Sequence, residues 1–141
     1  MEHGASSAQD WVKPALRHDC GGVLLETIHR ILGYAAVVAA VVGIAWSVVA
    51  TRNPVLGDRR FIRFQALTVV VLIVASVAGL GLLISGAQPK EGLHLVYAAI
   101  AMAVLPLARS FVPAGDRRSG IAVLAAFVVL GFVLNRLFAT G

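Results

Sequence analysis

Two histidines, His29 and His94, stand in stretches that are otherwise almost wholly apolar. Imidazole is the commonest metal-ligating side chain, and an ionisable group in such surroundings costs several kcal/mol unless paired, solvated or bound. Glu26 and Arg30 flank the first histidine, Tyr97 follows the second, and Asn135 and Arg136 lie near the C-terminus. Residues four apart share a helix face. Gly33 follows His29 at that spacing and Ala98 follows His94, so each imidazole has a small neighbour on its own face. Gly79 and Gly81 add further small residues. Two imidazoles converging from opposite sides, with bulk cleared around them, suit the iron of a flat macrocycle, so the pattern points to a bis-histidine haem. Arg30 and Arg136 are then candidates to pair with the anionic propionates through bidentate contacts, and Tyr97 to donate a hydrogen bond or pack. Each residue also has a plainer reading. A histidine in the first turn of a span is an interfacial residue, a glycine there is a helix-packing residue, and Arg136 snorkels.

The elements that must position these side chains follow from composition. Of 141 residues, 59 % are hydrophobic and 13 % charged, which excludes an ordinary water-soluble domain. Four stretches, 23–50, 64–85, 92–111 and 120–138, each reach the roughly 20 residues that cross a hydrocarbon core of about 30 Å. The expected fold is all-α, an integral membrane four-helix bundle (23–141) preceded by a polar N-terminal segment (1–22). Helix-breaking residues separate the spans: Arg52-Asn53-Pro54 with Gly57-Asp58, then Gln88-Pro89, then Pro113 with Gly115-Asp116. No removable signal peptide is read at the start. In an up-down-up-down bundle the first and third helices run the same way, so His29 and His94 are expected at one depth, near the outer end.

The net charge of +5 is explained by topology. Arg52, Arg59, Arg60 and Arg63 follow the first span, and Arg109, Arg117 and Arg118 follow the third. By the positive-inside rule both connections face the cytoplasm, with both termini and the Gln88–Glu91 connection outside, in a multi-pass protein of the cell (inner, cytoplasmic) membrane. No aromatic platform accompanies the arginines, so no nucleic-acid partner is expected. The single Cys20 cannot form a disulfide within the chain and reads as a free thiol. His3 and His18, with Asp19 and Cys20, match no firm metal-ligand spacing. Trp46 reads as an interfacial anchor and Pro106 as a kink in the third helix.

The segment Glu26-Thr27-Ile28-His29-Arg30, with Gly33 after it, resembles the E-x-x-H-R signature of the haem A synthase family. Asp19-Cys20-Gly21-Gly22 stands before it as that family's cysteine-containing extracytoplasmic loop does. Gln65 to Ala98, with Gly79–Gly81, Pro89 and His94-Leu95 followed by Tyr97-Ala98, looks like the family's next helix pair. The resemblance covers Cys20 to Ala98, and the chain as a whole resembles one four-helix half of the family's architecture. It implies His29 and His94 as axial ligands, Arg30 as a propionate partner and Glu26 as the acidic residue of catalysis. The chain departs from the family in having one cysteine where the loop usually has two, and in lacking the helix that normally precedes the signature. With one half present, two haem sites would need a homodimer or another subunit.

Three functional classes follow. The first is a haem-b-binding protein of haem A synthase type, a redox or oxidase-assembly factor and, if an enzyme, an oxidoreductase. The second is a small cytochrome b passing electrons within a larger membrane redox complex; two strong-field imidazoles saturate the iron, which suits outer-sphere transfer. The third is a cofactor-free structural subunit with interfacial histidines.

Overall fold

The computed structural model describes residues 19–52, 59–87, 92–111 and 117–140, without the side chains of 19–20 and 117–119. Four helices account for nearly all of them: α1 (Asp19–Arg52), α2 (Arg59–Ile84), α3 (Leu93–Phe111) and α4 (Arg117–Thr140). Each is long and apolar enough to cross a membrane. The chain is therefore an all-α bundle of four membrane-spanning helices, as composition predicts. The breaks at 53–58, 88–91 and 112–116 lie outside the described residues.

The helices run further than the apolar stretches. Helix α1 begins at Asp19, so Cys20, Gly21 and Gly22 belong to its first turn and not to a loop before it. Helix α2 begins at Arg59, which puts Arg59, Arg60 and Arg63 on its first turns, not in a connection. Arginine is a good helix former whose long stem lets the guanidinium reach water from inside a helix end, so hydropathy marks the span and not the helix. At the other end of α2, Gly86 adopts φ +97°, a conformation that favours glycine. There Ala87 N–H donates to the Leu82 carbonyl at 3.0 Å and Gly86 N–H to the Leu83 carbonyl at 3.1 Å, the paired bonds of a Schellman cap.

Packing runs α2–α1–α4–α3 around the bundle, closely at those three seams and loosely between α2 and α3, with α1 and α3 diagonal. The tight α1–α4 seam has a sequence cause. Gly33, Ala36, Ala40, Gly43, Ser47 and Ala50 recur at alternating steps of three and four along α1. Ala36, Ala40, Ser47 and Ala50 are buried. Small residues at such spacing let helices approach closely where lipid provides no hydrophobic drive. A Cβ at Gly43 would lie 2.3 Å from Phe127 Cε1, so the fully buried Phe127 ring of α4 fills the space that glycine leaves.

At the arginine-rich end the core is aromatic. Trp46 sits 5.5 Å from Phe61 and 5.7 Å from Phe64 between ring centroids, and both phenylalanines continue to Phe127. Trp46 is thus half-buried and packs against the core. Polar side chains are also buried: Ser47 and Thr68 each donate to a carbonyl four residues back, at 2.7 and 2.9 Å. Large aliphatic side chains such as Val38, Val41, Leu67, Val77 and Ile121 cover the outside instead. That inversion suits a surface facing lipid.

Candidate functional site

The two histidines meet. Their ring centroids are 6.4 Å apart with planes tilted by 52°, across the diagonal from α1 to α3. His94 is in the first turn of α3, whereas His29 lies nearly three turns into α1. The levels agree because α1, with 34 residues and a length of about 51 Å, extends well beyond the bilayer thickness.

Each imidazole is oriented through one nitrogen. His29 Nδ1 lies 2.9 Å from the Ala75 carbonyl of α2, and since a carbonyl only accepts, Nδ1 carries the proton. In the neutral ring this leaves Nε2 as the lone-pair nitrogen, the tautomer that a metal ligand held by an outer hydrogen bond adopts. His94 Nδ1 makes a longer contact, 3.5 Å, with the buried Thr140 hydroxyl of α4. That hydroxyl has the Arg136 carbonyl 3.1 Å away as an acceptor for its own proton. Its oxygen is therefore free to accept from His94, again leaving Nε2 as the lone-pair nitrogen.

The small residues are used differently from the simplest expectation. A Cβ at Gly79 would come within 2.9 Å of His29 Cε1, so this glycine makes room for the imidazole itself. A Cβ at Gly81 would meet Leu25 at 2.7 Å, and one at Gly33 would meet Phe138 at 3.2 Å. Phe138 in turn stacks on Tyr34, with centroids 5.2 Å apart. Tyr97 and Ala98 are half-buried on α3, and Tyr97 packs against the core.

The charged residues lie on the outside. Arg30 and Glu26 pair with each other at 2.8 Å, with their side chains 64 % and 60 % exposed, on the side of α1 away from the core. Arg136 is exposed, its guanidinium 5.5 Å from the Phe132 ring centre. Asn135 is exposed beside it. The structure therefore brings together His29 and His94, with Gly79 beside them, and leaves Glu26, Arg30 and Arg136 on the surface. The pair's partners Ala75 and Thr140 carry no signal in the sequence, because one acts through its backbone and the other is 46 residues from His94.

The spacing can be tested against the group the sequence suggests. Two imidazoles bound on opposite sides of one metal, each at about 2 Å with its ring centre about 1 Å behind the ligating nitrogen, hold their centroids about 6 Å apart. The observed 6.4 Å agrees. Among the described residues no three His, Cys, Asp or Glu side chains gather as a protein-only metal cage would require. Two imidazoles at this spacing are the donors that would hold a haem here.

Comparison with protein-family models, with curated proteins and with solved structures finds no match.

Proposed function

We propose that this chain binds haem b between His29 and His94, at the bundle end opposite Arg59, Arg60, Arg63 and Arg109, and serves a redox role in the membrane. The observation that carries the reading is the pair of neighbouring imidazoles, with ring centroids 6.4 Å apart and each with its Nδ1 engaged elsewhere. Haem bound there supplies a one-electron iron couple. The protein's own part is to orient both rings and keep Nε2 available on each.

Within that reading, the Glu26–Arg30 pair favours an electron carrier over a haem-modifying enzyme. An acid that is paired and exposed on the outer surface of α1 is poorly placed to act at a macrocycle edge. The resemblance to haem A synthase supports the haem and its ligands; the placement of Glu26 weakens the catalytic half of that likeness. By the positive-inside argument the haem end is extracytoplasmic, in the cytoplasmic membrane, and a homodimer or a larger redox complex supplies the electron partner.

A reduced-minus-oxidised absorption spectrum of the purified protein tests the proposal. Soret and α bands of six-coordinate haem b are expected, with loss of the six-coordinate spectrum in both His29→Ala and His94→Ala. A protein that neither carries nor takes up haem, or one whose spectrum survives both substitutions, overturns it. Haem a content in cells with and without the gene then separates enzyme from carrier, the carrier leaving it unchanged.

A further inference from the structure

Far from the histidines, at the arginine-rich end, the loose seam between α2 and α3 opens into a groove of about 270 Å³ lined by Gln65, Ala66, Val69, Leu105, Pro106 and Arg109. Its walls are mostly apolar and it is open on one side. Gln65 is 3 % exposed, and its Oε1 is the buried side-chain atom with no hydrogen-bond partner among the described residues. Burying an amide without a partner is costly anywhere and more so in a bilayer, where no water replaces the missing donor. Arg109, exposed in the last turn of α3, brings a cation to the same groove. Pro106 lacks an N–H and cannot close a helical bond to the Met102 carbonyl, which loosens α3 where the groove forms. Arg60 and Arg63, on the first turns of α2, make this end of the bundle basic.

A ligand that completes these groups must offer a hydrogen-bond donor for the buried amide, an anion for the guanidinium, and an apolar body for the walls and the lipid beyond. We propose that the α2–α3 groove is a binding site for one anionic phospholipid whose headgroup carries a free hydroxyl beside its phosphate, as phosphatidylglycerol does. The hydroxyl donates to Gln65 Oε1, the phosphate pairs with Arg109, and the acyl chains run along Val69 and the outer faces of α2 and α3. Basic pockets between membrane helices bind such headgroups, and the planar guanidinium suits phosphate oxygens bidentately. The site is independent of the haem reading.

Native mass spectrometry of the full-length protein released from nanodiscs tests it. The discs contain phosphatidylglycerol mixed with phosphatidylcholine, and sn-glycerol 3-phosphate is added in a parallel arm. One phosphatidylglycerol per chain is expected to persist over phosphatidylcholine. Gln65→Leu and Arg109→Gln should each lower its retention about tenfold, the loss of one hydrogen bond to a charged or buried partner. Arg60→Gln removes the same charge from a position outside the groove and should leave retention unchanged; helical content by circular dichroism certifies that each variant is folded. Equal retention of the two lipids overturns the proposal. So does an equal loss in Arg60→Gln, which would mean diffuse attraction, or displacement by sn-glycerol 3-phosphate, which would mean a soluble phosphate site.

Discussion

The surroundings of His29 come from two other helices: the Ala75 carbonyl of α2 fixes its tautomer, Gly79 of α2 admits its ring, and the His94 ring of α3 lies 6.4 Å away between centroids. Gly79→Ala puts a carbon 2.9 Å from His29 Cε1, so the ring must turn and lose its bond to Ala75. Disturbing such outer partners costs about tenfold or more in metal affinity, and haem titration of this variant should show a loss of that order. Gly33→Ala meets only the edge of Phe138, at 3.2 Å, and that ring is exposed enough to shift. Its haem affinity should stay within about twofold, because no partner of the proposed ligand His29 is touched. The reverse order would show that the histidines are oriented by something other than α2. Glu26 belongs to an exposed i,i+4 pair worth about 0.3–0.5 kcal/mol. Glu26→Gln should leave both the midpoint of unfolding and the haem spectrum nearly unchanged, whereas a large loss of turnover with the spectrum retained would restore Glu26 to a catalytic role.

Between elements, the strongest constraint is the approach of α1 to α4. Phe127 occupies the space over Gly43, and a methyl group there would stand 2.3 Å from its ring. Gly43→Ala should destabilise the bundle by about 1–3 kcal/mol, the usual range for overpacking, read from unfolding in mixed detergent micelles. A neutral result would mean that the α1–α4 seam is wider than described. The small-residue stripe that makes this seam was visible in the sequence at regular spacing. What the spacing leaves open is the partner helix, since any of the other three presents an apolar surface. The α2–α3 seam shows the opposite case. Gln65 is an amide just inside a span, a signal present in the sequence, yet its burial beside a groove follows only from how loosely those two helices pack.

For the whole molecule, four crossings place the α2–α3 turn and the α3–α4 connection on opposite sides of the membrane. In a Cys20→Ser background, a membrane-impermeant thiol reagent applied to intact cells should label Ser85→Cys and spare Ser110→Cys. Labelling of both from one side would contradict four spans, and the inverse pattern would reverse the orientation argued from the arginines. The number and approximate limits of the spans were legible by residue type alone, because crossing a bilayer requires only a local run of about 20 apolar residues. The meeting of His29 and His94 was legible too, since helices one and three run in parallel and both histidines lie near the same end. The surroundings of that pair were decided by tertiary structure. In a soluble bundle the contrast between apolar core and polar surface marks each helix's inward face. Here lipid-facing and core-facing sides are equally apolar, Ser47, Gln65 and Thr68 are buried while valines and leucines face outward, and no periodicity in the sequence says which way Glu26, Arg30 or Gly79 turns.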